Sequence, residues 1–171
     1  YAASAGFGVK VVEPLTWNGA AVSSSAIRSQ LAQGALDAVR ALLGRPLQVL
    51  GEVIHGEGRG RQLGFPTANV EFSANQALPA DGVYVMELTD EQGVTRGAVG
   101  SIGTRPHFHG VGRSFEAHCL EDPGDLYGQL VLVSVLQKLR PQETFVSDQA
   151  LVDRMTRDAE AAAAYLASQA S

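Results

Sequence analysis

From Leu47 onward, apolar residues fall into short runs separated by glycine, proline and small polar residues. That is the pattern of strands joined by turns. The runs occupy 47–54, 70–72, 82–88, 94–102, 114–120 and 129–139, and Asp90-Glu91-Gln92-Gly93 supplies a hairpin-type connection. The last run alternates little (Leu130-Val131-Leu132-Val133), as a strand buried on both faces would. Five or six strands without interleaved helices predict a closed antiparallel barrel, because closure removes exposed edges.

The ends of the chain have a different texture. Gly6 to Val12 reads as a strand. Ser23-Ser24-Ser25 offers N-caps for a helix beginning at Ala26, with Gly34 as its stop. A second short helix, 35–43, ends at Gly44 with Pro46 beyond it. These pieces carry too little apolar surface to fold alone, so they are expected to pack on something larger. After Phe145, Ser147 or Asp148 is placed to cap a final helix. Its Val152, Met155, Ala159, Ala162 and Leu166 keep a spacing of three to four and should lie on the barrel.

With 171 residues, the chain is expected to form one domain with a small appendage. At 45% apolar and 18% charged it can bury a real core. The net charge of −5 argues against a nucleic-acid surface, which needs basic patches. No apolar run approaches the roughly 18 residues needed to span a bilayer, so no membrane role is expected. The single cysteine, Cys119, fits a reducing, cytoplasmic compartment. The chain opens on Tyr without a signal sequence, which suggests a fragment or processed piece of a longer protein.

The densest candidate chemistry is His55-Gly56-Glu57-Gly58-Arg59-Gly60-Arg61, followed by Gly64-Phe65-Pro66-Thr67-Ala68-Asn69. Glycines at 56, 58 and 60 allow a backbone to turn its N–H groups toward an oxyanion, and Arg59 and Arg61 add fixed positive charge. Thr67 and Asn69 share one face of an extended segment and offer two neutral oxygens. Such oxygens suit Mg²⁺ once phosphates supply the negative charge. The loop reads as a triphosphate site, with a plain solvated hairpin as the alternative. It is neither a P-loop nor a dinucleotide-binding fingerprint, since both glycine spacings fail.

Four blocks in order settle what the stretch resembles. They are His55 through Asn69, Leu78-Pro79-Ala80-Asp81-Gly82-Val83-Tyr84, Ser101-Ile102-Gly103-Thr104-Arg105-Pro106, and Glu116-x-His118 running on to Gly124-Asp125-Leu126-Tyr127-Gly128. From Leu47 to about Leu166 the chain resembles the riboflavin kinase module of bacterial bifunctional riboflavin kinase/FAD synthetases. The resemblance implies a mainly β, six-stranded antiparallel Greek-key split barrel with a C-terminal α-helix and short N-terminal helices. It also implies ATP-dependent phosphorylation of the ribityl 5′-hydroxyl of riboflavin, giving FMN and ADP.

Residues 1–45 resemble the end of the preceding adenylyltransferase domain, through Ser23-Ser24-Ser25-Ala26-Ile27-Arg28, and 46–171 form the kinase domain. The upstream nucleotide signature of that partner domain is missing, so no FMN adenylyltransferase activity is expected of this chain. Glu116 matches the family's catalytic glutamate, the base on the attacking hydroxyl, and Thr67 and Asn69 match the magnesium ligands. The resemblance places ATP contacts at Gly56, Gly58, Arg59, Gly60, Arg61, Pro66, Thr67 and Asn69, then at Cys119, Glu121 and Tyr127. It places riboflavin across the barrel mouth, near Arg140, Glu143 and Phe145.

Several roles stay open. Tyr127 offers a ring, a hydroxyl or mere packing; Phe145 either flanks the isoalloxazine or staples the last helix; His118 either orients Glu116 or faces the core. Cys119 has the ordinary profile of a small buried apolar residue. His107-x-His109, with no third ligand, reads as solvated histidines. The chain departs from the family pattern at Pro123, Gln129 and Val146-Ser147-Asp148, none of which touches Glu116, Thr67 or Asn69. Other readings are a non-catalytic flavin- and nucleotide-binding regulatory or assembly module, and a split-barrel flavin reductase, which the loop disfavours.

Overall fold

The computed structural model describes Gly6 and residues 8–104 and 113–169. His107, His109 and the Arg105-Pro106 end of the third block lie outside the described residues. Residues 8–12, expected to belong to a strand, carry no regular structure, and Val9, Val11 and Val12 are exposed. A run of β-formers without a strand to pair with gains nothing from extension. Pairing occurs later, in a two-residue hairpin of β1 (Thr16–Trp17) and β2 (Ala20–Ala21) around Asn18 and Gly19, both at positive φ.

Helix α1 (Ser24–Gln33) starts where the Ser23 hydroxyl accepts the Ala26 N–H, and it stops at left-handed Gly34. Helix α2 (Leu36–Leu43) ends at Gly44 in the same conformation. The two helices do pack on something larger. Leu31, Leu36 and Val39 belong to the same buried cluster as the barrel interior.

The six long strands are β3 (Leu47–Ile54), β4 (Ala68–Phe72), β5 (Gly82–Thr89), β6 (Thr95–Thr104), β7 (Arg113–Cys119) and β8 (Leu130–Arg140). They close in the order β3-β4-β7-β6-β5-β8, with every pair antiparallel. The meander β5-β6-β7 returns to lie beside β4, which makes the topology a Greek key. The barrel of the expected fold class is therefore present.

Alternation sorts the side chains. Val49, Val70, Tyr84, Met86, Phe115 and Val133 point inward and fill the barrel. Val83, Val85 and Val99 point outward and are covered by Ala159, Ala162 and Leu166 of α4 (Asp148–Gln169). The helix thus lies on the barrel, although Met155 borders a cavity and Val152 stays outside the cluster. Its N-terminus is capped by the Ser147 hydroxyl, which accepts the Ala150 N–H. The unalternating start of β8 is not buried on both faces: Val131 and Val133 point inward while Leu130 is half exposed. Helix α4 crosses β5 and β6, and on β8 its apolar cluster reaches Leu136 and Leu139 but not Leu130.

Candidate active site

The site grows from the outer wall of the barrel. Asn69 on β4 stands directly opposite Glu116 on β7, and Ser101 on β6 stands opposite Glu116 on its other side. An amide, a carboxylate and a hydroxyl therefore form a row across three strands. Thr67, two residues before Asn69, and His118, two after Glu116, project from the same wall. Strand β4 begins at Ala68, earlier than the sequence suggested, and that is what carries Asn69 into the sheet.

The glycine-dense segment is not an irregular loop. Gly58 at φ 70° opens one helical turn, α3 (Arg59–Gln62), and Gly64 at φ 86° closes it. The N–H groups of Gln62, Leu63, Gly64 and Phe65 all donate to carbonyls within this turn. Those four amides are satisfied inside the turn; the N–H groups expected to face an oxyanion are those upstream of them, at Gly56, Gly58 and Gly60. The glycines at 56 and 60 also serve close approach. A Cβ on Gly60 would lie 2.4 Å from the Phe65 carbonyl oxygen and 3.1 Å from Thr67 Oγ1. A Cβ on Gly56 would lie 2.2 Å from Asn69 Nδ2. Only bare backbone lets the turn settle onto Thr67 and Asn69.

A cavity of about 890 Å³ runs along this wall. Arg59, Gly60, Thr67, Ser101, Glu116 and His118 line one side of it. Arg140, Gln142, Glu143, Phe145 and Asp158 line the other. The interior offers no room for a ligand because large side chains such as Tyr84, Met86 and Phe115 occupy it.

On the far side, Arg140 at the end of β8 is almost fully buried. Its Nε and Nη2 donate to both oxygens of Asp158 on α4, at 2.7 to 3.1 Å, and Nη1 donates to the Pro141 carbonyl. Arg140, expected to be the polar contact for a ligand, lines the cavity while its guanidinium is held by Asp158, with the Phe145 ring centroid 5.9 Å away. Its role is to tie β8, the 141–145 loop and α4 together. Glu143 joins the network at 3.4 Å from Arg154. Across the opening, Arg59 pairs with Asp148 in the first turn of α4 at 2.7 Å, with both side chains largely exposed.

The remaining expected contacts fall outside the cavity. Tyr127 stacks on His55, with ring centroids 3.9 Å apart, next to Gly56. Arg61 and Glu121 are exposed, and Asn69 borders a second hollow as well as Glu116. Cys119 turns its sulfur into the barrel core, where burial pushes the thiol up to about 11. Its side chain therefore cannot face the glycine turn.

The sequence reading missed Ser101, Gln142 and Asp158. Ser101 joins the site only through the β6–β7 register. No local signal marks the other two. Gln142 packs where Gly103 leaves room, its amide within 2.4 Å of where a Cβ would stand. Asp81 is another silent contributor. Burial alone would raise its carboxyl, but hydrogen bonds from Thr104 and Arg113 outweigh that and hold it below the usual range. The carboxylate thereby clamps the end of β6 to the start of β7.

Among the described residues no group of three or more His, Cys, Asp or Glu is placed to hold a metal ion. The oxygens of Thr67 and Asn69 beside the turn fit a hard divalent cation only as a partial shell, with anionic ligands arriving on a substrate. The arrangement can present an anionic group to a carboxylate base on a wall shared with an open, partly apolar cavity.

A family model described as flavokinase, riboflavin kinase, matches residues 43–166. The chain is 39% identical over 166 residues to the bifunctional riboflavin kinase/FMN adenylyltransferase of Pseudomonas fluorescens, covering 96% of this chain and 53% of that protein. It is 36% identical over 153 residues to the protein of the same name from Escherichia coli K12, covering 90% and 49%. The chain thus spans about half the length of the curated relatives it matches. Among solved structures, riboflavin kinase from Trypanosoma brucei superposes with a TM-score of 0.51 at 25% identity, covering 71% of this chain and 77% of that one. A Streptococcus pneumoniae chain described as a macrolide-efflux protein superposes with a TM-score of 0.79 at 35% identity, covering 87% and 49%. Among the described residues no helix is long and apolar enough to cross a membrane.

Proposed function

The chain belongs to the riboflavin kinase family, and from that premise we propose that it transfers the γ-phosphoryl group of ATP to the ribityl 5′-hydroxyl of riboflavin. The observation that carries the reading is the cross-strand row Asn69–Glu116–Ser101, of which Glu116 and Ser101 line the cavity bounded by the glycine turn. Phosphoryl transfer asks mainly for positioning and charge neutralisation, with one base on the nucleophile.

Riboflavin lies along the cavity, its ring system toward Phe145 and the 141–145 loop and its ribityl tail toward Glu116. Glu116 accepts the hydroxyl proton as that oxygen attacks phosphorus in line. ATP lies over the glycine turn, with its phosphates near Thr67 and Asn69 and its base toward Gly56 and Tyr127. Thr67 and Asn69 would hold Mg²⁺ together with the phosphates, and the ion would neutralise charge developing on them. Arg59, now on Asp148, is near enough to this region to exchange its carboxylate partner for a phosphate. Products are FMN and ADP.

The second activity in the relatives' name, FMN adenylyl transfer, belongs to their full lengths. We read residues 1–45 as the tail of that neighbouring domain, with this chain carrying the kinase step in a reducing, cytoplasmic setting. Incubation with riboflavin and Mg·ATP, followed by chromatography, tests the reading. FMN should accumulate and FAD should not; absence of FMN sinks the proposal, and FAD would show that adenylyl transfer resides here as well.

A further inference from the structure

We infer that His118 is a positioning residue that sets Thr67, and through it the phosphate end of the site. The inference rests on the kinase reading above. Its sequence context leaves His118 open between orienting Glu116 and facing the core, and its contacts lead to a third place. Its Nδ1 lies 2.8 Å from the carbonyl oxygen of Pro66, and its ring meets Phe65 edge-on, with centroids 5.1 Å apart at 62°.

The place of this contact in the sheet gives it meaning. Strands β4 and β7 pair through only two positions, Ala68 with Ala117 and Asn69 with Glu116. The next position along would set Thr67 against His118, and there the backbone ladder has ended. The His118 side chain takes over and reaches one peptide farther, to Pro66. The Pro66 carbonyl belongs to the planar peptide that leads into Thr67, so fixing that oxygen fixes where Thr67 starts. From the opposite side the Phe65 N–H donates to Gly60 at 2.8 Å. The corner 65–67 is thus held between the glycine turn and His118, and Thr67, which no ladder bond restrains, takes its position from both.

The chemistry of the contact fixes the tautomer. A carbonyl only accepts, so Nδ1 carries the proton. Protonation of Nε2 leaves that donor in place, so the clamp survives acidification. Alanine removes donor and ring together, whereas asparagine keeps an amide N–H near the position of Nδ1.

Three measurements test this on the whole chain. Long-range ¹H–¹⁵N spectra of the ligand-free protein should show His118 protonated at Nδ1; an Nε2–H tautomer overturns the inference whatever the enzyme does. Calorimetry with Mg·ADP should show H118A weakened on the order of tenfold, in line with residues that orient metal ligands, and H118N restored to within about threefold of wild type. In turnover, H118A should raise the Mg²⁺ needed for half-maximal rate while the riboflavin KM stays within about twofold. Equal damage to both KM values, unchanged Mg·ADP binding in H118A, or H118N no better than H118A would each overturn it. If wild type binds Mg·ADP and shows the Nδ1–H tautomer but forms no FMN, the kinase reading fails while the clamp stands.

Discussion

Asn69 and Glu116 face each other across the β4–β7 pair, so the residue proposed to meet the metal and the residue proposed to take the proton share one rung of the barrel. Their spacing is set by sheet geometry, with Cα atoms roughly 4.5–5.5 Å apart in any antiparallel pair. Loop movement leaves it unchanged. Glu116→Gln keeps the shape and removes the base. Turnover should fall roughly 10²- to 10⁴-fold, while calorimetric binding of riboflavin and Mg·ADP stays within about threefold. Unchanged turnover would remove Glu116 as the base.

Gly58 and Gly60 sit two residues apart and should respond differently to alanine. Gly60 meets the Phe65 carbonyl, a backbone atom that cannot swing aside, so Gly60→Ala must push the turn off Thr67. A displacement near 1 Å at such a site can cost on the order of 100-fold in rate. Gly58 has open space around its missing Cβ but a φ of +70°. Gly58→Ala should therefore cost about 1–2 kcal/mol of stability from backbone strain and leave turnover nearly intact. Thermal melts and FMN assays on the two variants separate the effects; equal losses in rate would contradict the close-approach account.

The Arg140–Asp158 pair is the buried electrostatic commitment beneath the flavin end of the cavity. Both side chains are more than nine-tenths buried. Asp158→Ala leaves an arginine charge without its partner, which typically costs 3–5 kcal/mol when a buried pair is broken. For a domain of this size that lowers Tm by on the order of 10 °C. The double variant Arg140→Met, Asp158→Leu removes both charges and should regain most of that loss. A double variant no more stable than Asp158→Ala would mean that the pair is not the cause.

The barrel was legible because its information is local. Apolar runs at 82–88 and 114–120 bounded by turn residues, and the turn at 90–93, mark the strands without distant partners. Ser23 and Gly34 mark helix ends by the same local logic. What stayed hidden depends on register. Nothing near Glu116 in the sequence says that Asn69 and Ser101 flank it, since that follows from which residue of β4 and β6 lands opposite. The pairing of Arg140 with Asp158 stayed hidden because the two lie 18 residues apart, on a strand and a helix. Gly56 and Gly60 stand out in the sequence for the freedom of their backbone, and the close approach they allow is a second reason for them. Family blocks identified the glycines, but only coordinates reveal that they make room for Thr67 and Asn69.

Two groups in the barrel interior predict an alkaline limit to stability. Burial pushes the Cys119 thiol from 9.0 up to about 11. Burial likewise pushes Tyr84 from 10.0 up to about 12, with nearby Arg113 opposing the rise. The Tyr84 hydroxyl also donates to the Ala80 carbonyl, a bond that ionisation would remove. For an acid whose folded pKa is raised, the unfolded chain loses its proton first. Between the two values the folded state holds more protons, so stability falls as pH rises. It is intact below pH 9, declines first through Cys119 and then, above pH 10, through Tyr84. A two-unit shift corresponds to about 2–3 kcal/mol for each group when complete. Denaturant midpoints measured from pH 7 upward should therefore be flat to about pH 9 and then descend. Cys119→Ala should delay the onset by about one unit, and Tyr84→Phe should flatten the later part of the curve even though it begins less stable. Parallel descent in wild type and both variants would show that surface charge, and not these two buried groups, sets the alkaline limit.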